Sequence, residues 1–152
     1  MVSEFSITRT VEFAETDMAG IMHFSNYFRW MESCETAFYR SINLPLISFV
    51  PGQVVGWPRV NATCDFRAPL RFNDSVEVRL FVKDIRTRAI VLGFQFRKIT
   101  KGKADPEPCA QGEITAVCVT NDGKGGMVAA PLPEAFRAKV RIAPKATWAS
   151  ED

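Results

Sequence analysis

The central segment of the chain, residues 15–38, reads ETDMAGIMHFSNYFRWMESCETAF. After its single glycine, apolar residues recur at spacings of three, four, seven and eleven, which place them on one face of a helix. These residues are Tyr27, Trp30, Met31, Cys34 and Phe38. The pattern predicts one long amphipathic helix, with Ser25 or Asn26 as its N-cap. Asn43 and Pro45 are expected to end it.

Strand-like segments flank this helix on both sides. Residues 5–13, FSITRTVEF, alternate apolar and polar side chains, which is the pattern of a half-buried strand. Further strand-like runs lie at about 57–67, 75–85, 89–99 and 109–120. Short connections between these later runs favour antiparallel pairing. The order predicts an α+β fold in which one helix packs on one face of an antiparallel sheet.

Length and composition favour a single globular domain. A chain of 152 residues with 47% hydrophobic and 24% charged residues can bury one sizeable core and is not typical of a disordered protein. We expect this domain to span residues 1–145, followed by a flexible tail at 146–152. The net charge of +2 is too small for the basic surface of a non-specific nucleic-acid binder, so no nucleic-acid partner is expected.

The sequence also predicts a cytoplasmic location. The first residues show no signal-peptide pattern, and no apolar run approaches the about 18 residues of a membrane span. We therefore expect no membrane partner. The four cysteines lack C-x-x-C pairing and are expected to be free thiols, at Cys34, Cys64, Cys109 and Cys118. No Cys or His cluster has the spacing of a zinc site, so no metal is expected.

Asp17 lies in the loop before the helix, where unpaired backbone N–H groups and the positive end of the helix dipole are exposed. Such N–H groups can stabilise an oxyanion. A carboxylate nearby can attack an acyl carbon or deprotonate a water molecule. Aspartate before a glycine is also typical of a turn, in which its carboxylate bonds to its own backbone. The local pattern leaves both interpretations open.

The stretch at residues 15–32, ETDMAGIMHFSNYFRWME, resembles the D-x-x-G-[IV]-[VM]-x-[FYH]-x-[NS]-[YF] signature of hotdog-fold acyl-CoA thioesterases, in particular the 4-hydroxybenzoyl-CoA thioesterase-like family. The predicted helix, the five strand-like segments and the turn at 69–74 agree with that family over about residues 5–120. The resemblance implies a hotdog fold, with one long central helix wrapped by an antiparallel sheet of five or six strands. It also implies hydrolysis of an acyl-CoA to free acid and CoA, without a cofactor.

The resemblance assigns roles to individual positions of the motif. Asp17 matches the acidic residue that acts as nucleophile or general base. Phe24 matches the position whose backbone N–H polarises the thioester carbonyl at the helix N-terminus, and Gly20 matches the loop glycine. Asn26 and Tyr27 belong to the same motif and are expected to contact the substrate.

His23, the only histidine, lies one position before the place where some relatives carry a histidine. It is therefore either a locally hydrogen-bonded residue or one that orients substrate or water. Arg86 and Arg88 begin a stretch, residues 86–103, that is basic and contains no acid. They are candidates for binding the phosphates of CoA, with a solvated strand end as the alternative.

Two other functions are open for a chain with this motif. A hotdog hydratase or dehydratase acts on the acyl chain with an Asp–His pair, and a non-catalytic acyl-CoA or acyl-carrier binder would keep only the pocket.

Glu32 and Glu35 lie beside the apolar stripe and are expected on the exposed surface of the helix. Open sheet edges and the resemblance both predict a homodimer or homotetramer with sites at the subunit interface. The sequence does not define the acyl group.

Overall fold

The computed structural model describes residues 1–46, 48–50 and 53–149. The strands in these ranges are β1 (Glu4–Thr10), β2 (Ser48–Val50), β3 (Gln53–Gly56), β4 (Arg59–Phe66), β5 (Ser75–Ile85), β6 (Ala89–Ile99), β7 (Glu107–Val117), β8 (Val119–Asn121) and β9 (Met127–Ala129). The helices are α1 (Ser25–Ser41), α2 (Glu134–Lys139) and α3 (Lys145–Trp148). A short 3-10 turn at Phe13–Glu15 precedes α1.

The larger sheet has five antiparallel strands in the order β1-β5-β6-β7-β4. Buried positions alternate along the first half of β5 because one face of the sheet packs on the core, whereas the first six residues of β6 are all buried. On β5 and β6 the buried positions include Val76, Val78, Leu80, Leu92, Phe94 and Phe96. The helix α1 packs against this face, mainly over β5 and β1. The predicted α+β fold is therefore confirmed, and its later strands occupy the predicted segments.

The apolar stripe of α1 forms the centre of the core. All five residues of the predicted stripe are buried, four of them completely. Glu32 is exposed as expected, but Glu35 is fully buried, so the expectation of exposure is wrong for Glu35. The reason is a partner from β4, Arg59, which is described with the site.

The end of α1 follows the predicted signal. Asn43 adopts the left-handed conformation, with φ of 54°. Its N–H donates to the Arg40 carbonyl at 3.2 Å, and the Leu44 N–H donates to the Tyr39 carbonyl at 2.9 Å. These two bonds form a Schellman motif, which satisfies the last carbonyls of the helix. The prediction that Asn43 ends the helix is confirmed.

A smaller sheet, in the order β2-β3-β8-β9, has no counterpart in the sequence prediction. Each of its strands has only three or four residues, which is too short for an alternating pattern to be recognised. The predicted strand at 109–120 is divided at Cys118 into β7 and β8, which belong to different sheets.

The C-terminal region is partly helical. Residues 145–148 form α3, and the Trp148 ring lies 4.5 Å from the Lys83 ammonium. Residues 150–152 of the expected tail lie outside the described residues, so its flexibility and the domain boundary at 145 stay predictions. Among the described helices, none has the length and apolar character needed to cross a membrane.

Candidate active site

The loop before α1 folds back on itself and presents Asp17. Its N–H donates to the Ile21 carbonyl at 2.9 Å, and Thr16 and Met22 form the next antiparallel bridge. Gly20 closes the turn: its N–H donates to the Asp17 carbonyl at 3.0 Å, and its φ is +78°. Side chains with a Cβ rarely adopt this conformation, which explains the glycine.

The Asp17 carboxylate is half-buried, and its two oxygens have different surroundings. Oδ1 accepts a hydrogen bond from the Ala19 N–H at 2.8 Å, the bond expected of a turn residue. No described residue donates to Oδ2. The turn bond therefore fixes the carboxylate and leaves one oxygen available for chemistry, so the two interpretations of Asp17 are compatible.

Glu15 ties this loop to the helix. Its carbonyl accepts bonds from the His23 N–H and from Asn26 Nδ2, both at 2.8 Å. Its carboxylate accepts the Trp30 indole N–H at 2.6 Å and the Glu12 N–H at 2.9 Å. Sequence reasoning missed Glu15, for which the spacing to Glu12 is the only local signal. These bonds set the position of Asp17 relative to α1.

The first amides of α1 include an open donor. Phe24, not Ser25 or Asn26, occupies the N-cap position, so the predicted N-cap is wrong by one residue or two. The His23 N–H is engaged by Glu15, whereas no described group accepts a bond from the Phe24 N–H. Because it lies at the positive end of the helix dipole, this N–H can stabilise an oxyanion.

His23 takes the place of a side-chain cap. Its Nδ1 lies 2.8 Å from Ser25 Oγ and accepts the Ser25 N–H at 3.3 Å. An Nδ1 that accepts a backbone N–H carries no proton, so we assign the proton of the neutral ring to Nε2. The ring also stacks on Phe24 with centroids 4.5 Å apart. A local structural role for His23 is thus evident.

Asn26 and Tyr27, expected to contact substrate, are instead buried in this chain. The Asn26 amide holds the loop through Glu15. The Tyr27 ring packs against Phe66 and Phe96, with centroids 4.8 and 5.1 Å away. Burial raises the pKa of the Tyr27 phenol to about 12. Through these buried contacts both residues hold the Asp17 loop and the first turn of α1 in place. A direct contact with substrate stays a prediction.

Arg86 and Arg88 lie far from Asp17 within this chain. The Asp17 loop pairs with the turn before β5, through a bridge between Ile21 and Arg71. Arg86 follows the other end of β5, a strand of 11 residues that spans roughly 35 Å. Arg86 is exposed and pairs with Asp84 at 2.9 Å. The structure does not bring these arginines to the Asp17 loop.

Arg71 is the basic residue that the fold places beside this loop. A Cβ added to Gly20 would lie 3.9 Å from its guanidinium Nη1. The backbone N–H of Arg71 donates to Asp74 Oδ2 at 2.8 Å, and this bond fixes the turn before β5. Sequence reasoning missed Arg71 because only the bridge to Ile21 brings the two segments together.

A buried ion pair lies further along α1, on the side that faces β4. Arg59 Nη2 lies 2.7 Å from Glu35 Oε2, and Arg59 Nη1 donates to the Trp57 carbonyl at 2.8 Å. No described group bonds to Glu35 Oε1. Burial raises the pKa of the Glu35 carboxyl to about 7, against the opposing effect of Arg59. The pair joins the helix to the edge strand of the sheet.

Comparison with solved structures identifies the architecture as the hotdog fold of thioesterases. A 4-hydroxybenzoyl-CoA thioesterase, solved as an aspartate-to-asparagine mutant complexed with 4-hydroxybenzoyl-CoA, aligns with a TM-score of 0.77. The alignment covers 90% of this chain and 98% of that chain at 20% identity, a level that defines the fold alone. The predicted hotdog fold is confirmed.

The sequence itself defines the family. The model of the thioesterase-like superfamily matches residues 11–140, and the chain belongs to this superfamily. A protein of Aquifex aeolicus (strain VF5), assigned provisionally as an esterase, is 32% identical over 117 residues, which are 74% of this chain and 91% of that protein. The 4-hydroxybenzoyl-CoA thioesterase of Pseudomonas sp. (strain CBS-3) is 25% identical over 126 residues, which are 82% of this chain and 89% of the relative.

Proposed function

We propose that the protein hydrolyses the thioester bond of an acyl-CoA and releases the free acid and CoA. The observation that carries this proposal is that the loop before α1 presents a half-buried Asp17, while the start of the helix presents an open Phe24 N–H. Membership of the thioesterase-like superfamily supports the reaction class. The names of the relatives, such as 4-hydroxybenzoyl-CoA thioesterase, support a CoA ester as the substrate.

In this mechanism the thioester carbonyl oxygen accepts the Phe24 N–H. Asp17 Oδ2 then attacks the carbonyl carbon, and the C–S bond breaks. The CoA thiolate leaves, and the acyl group stays on Asp17 as an acyl anhydride. Water hydrolyses the anhydride and restores the carboxylate. Alternatively, Asp17 removes a proton from a water molecule that attacks the same carbon; the C–S bond then breaks, and the leaving CoA thiolate takes the proton from Asp17. In either route an oxyanion donor of this kind contributes about 3 to 4 kcal/mol to lowering the barrier.

Asp17 supplies the nucleophile or base, and the Phe24 N–H supplies the hydrogen-bond donor for the oxyanion. We therefore propose that the reaction needs no metal or dissociable cofactor. Arg71 is the basic side chain beside the loop in the same protomer and is a further candidate for a CoA phosphate. We place the reaction in the cytoplasm. The cysteines support a reducing compartment, since Cys34, Cys64, Cys109 and Cys118 are all free thiols.

We also propose that the active form is a homodimer or homotetramer. Large apolar side chains are exposed on and around the Asp17 loop: Phe13, Met18, Phe24 and Phe72. Among the described strands, none pairs with the outer edge of β4, which ends the larger sheet. On this strand Val60 is 62% exposed and Phe66 is 50% exposed. A second copy that covers these surfaces would bury them. Arg86 and Arg88 would then reach a substrate at Asp17 only from another subunit.

The test of the proposed activity is thiol release from a panel of short-chain, long-chain and aromatic acyl-CoA esters. We expect Asp17→Asn to lose nearly all turnover while its unfolding temperature and its affinity for the ester stay close to wild type. Asp105→Asn, which changes an exposed aspartate outside the site, is the matched control. Full turnover in Asp17→Asn would exclude the proposed role of Asp17. Ester binding by the wild type without thiol release would show a binding protein.

A further inference from the structure

The start of α1 leaves one main-chain N–H open and engages the N–H groups on either side of it. Between residues 22 and 27, every N–H except that of Phe24 has an acceptor in the described part of the chain. The acceptors are the Leu70 carbonyl for Met22, the Glu15 carbonyl for His23, His23 Nδ1 for Ser25, the His23 carbonyl for Asn26 and the Phe24 carbonyl for Tyr27. A helix ordinarily begins with about four N–H groups that have no partner within the helix. Here the loop and His23 reduce this set to a single open donor.

The Glu15 carbonyl determines which N–H stays open. It accepts two hydrogen bonds, from the His23 N–H and from Asn26 Nδ2, both at 2.8 Å. A carbonyl oxygen has two lone pairs, so these two donors use its full capacity. The carbonyl therefore has no place for the N–H of Phe24, which directly follows His23 in the chain.

The side chain of Asn26 has a defined orientation and a limited task in this arrangement. It is buried, and only its nitrogen can donate to a carbonyl, so the bond to Glu15 fixes which way the amide points. Glu15 is also held through its carboxylate, which accepts the Trp30 indole N–H at 2.6 Å and the Glu12 N–H at 2.9 Å. Since these bonds hold the loop without Asn26, the main effect of the Asn26 amide is to occupy the second lone pair.

We propose that Asn26 is a positioning residue, which fills the second lone pair of the Glu15 carbonyl and thereby keeps the Phe24 N–H free for the thioester oxygen. Without Asn26 Nδ2 the freed lone pair attracts the Phe24 N–H, because an open donor and an open acceptor gain by pairing. The substrate then has to displace that bond. This inference rests on the proposed role of the Phe24 N–H in hydrolysis.

The first experiment measures the exchange of main-chain N–H groups with water by NMR, in the full-length protein without substrate. In the wild type the Phe24 N–H is expected to exchange faster than those of His23 and Asn26. The variant Asn26→Leu keeps the number of side-chain heavy atoms and has no donor. It should slow exchange at Phe24 by about two- to tenfold, the protection that one net hydrogen bond gives.

The second experiment measures thiol release from the acyl-CoA ester that the wild type hydrolyses fastest. Asn26→Leu should lose about two- to tenfold in kcat, the equivalent of one net hydrogen bond. KM should change little, because the donor acts more strongly on the oxyanion than on the bound thioester. Ser41→Ala is the matched control, since it removes a side-chain bond to the Phe38 carbonyl at the other end of α1. It should leave kcat and exchange at Phe24 unchanged.

The direction of the exchange effect separates positioning from a general loss of structure. Loosening of the loop or of the helix speeds exchange, whereas the proposed bond slows it. Faster or unchanged exchange at Phe24 in Asn26→Leu would therefore overturn the proposal, and so would a Phe24 N–H as protected as that of His23 in the wild type. Asn26→Ala, which adds no bulk, should show the same direction in exchange and in kcat. If the wild type releases no thiol from any ester, the proposed hydrolysis fails, while the exchange rates still decide the role of Asn26.

Discussion

Glu35 gives the most direct test of the energetics of this fold. The residue is fully buried, and burial raises the pKa of its carboxyl from 4.5 to about 7 even with Arg59 at 2.7 Å. The folded protein therefore binds this proton more tightly than the unfolded chain does. Between these two pKa values the unfolded state binds fewer protons, so the free energy of unfolding falls as the pH rises. Each unit of pKa corresponds to about 1.4 kcal/mol, which gives a loss of about 3 kcal/mol above pH 7.

The variant Glu35→Gln removes this titration. We expect the free energy of unfolding of the wild type to fall by about 2 to 3 kcal/mol more than that of Glu35→Gln between pH 5 and pH 8. Urea unfolding at the two pH values measures the difference. Glu134→Gln, at an exposed position of α2, is the matched control and should keep the wild-type profile. An identical pH dependence in the wild type and Glu35→Gln would refute the reasoning.

Other predictions test the loop and the packing of the core. Gly20→Ala places a Cβ at a φ of +78° and should lower the free energy of unfolding by about 1 to 2 kcal/mol, measured by thermal unfolding. It should also reduce kcat/KM in steady-state kinetics. Trp30→Phe removes the N–H that Glu15 Oε2 accepts at 2.6 Å; we expect a loss of about 1 to 2 kcal/mol and a lower kcat. A Cβ on Gly112 would collide with Met31 Cε, so Gly112→Ala should cost about 1 to 3 kcal/mol in urea unfolding. Adding Met31→Leu should recover part of that loss, and additive effects would contradict the contact.

The parts of the fold that sequence reasoning predicted are those with a local physical cause. The stripe of α1 is visible because helical periodicity brings residues three and four apart onto one face. The end at Asn43 is visible because asparagine tolerates a positive φ, here 54°. The strands β2, β3 and β9 were missed because three or four residues carry too little periodicity.

The parts that could not be predicted depend on contacts between distant segments. Glu35 resembles a surface glutamate of a helix, and only the approach of Arg59, 24 residues later, explains its burial. Glu15 acquires its role from Trp30, 15 residues away. The motif itself was enough to identify Asp17 as a candidate. The distance between Arg86 and Asp17 follows instead from the length of β5, a strand that lies outside the motif.

The way in which the Asp17 loop is held bears on how the protein can change. Its path is fixed by main-chain bonds, by the carbonyl of Glu15 and by the positive φ of Gly20. None of these depends on the side chains of Met18 and Ala19, which are exposed at the tip of the turn. Substitutions at these two positions can therefore alter what surrounds the carboxylate without disturbing its placement. Met18 and Ala19 are therefore the positions at which we expect natural or directed evolution to change the acyl preference first.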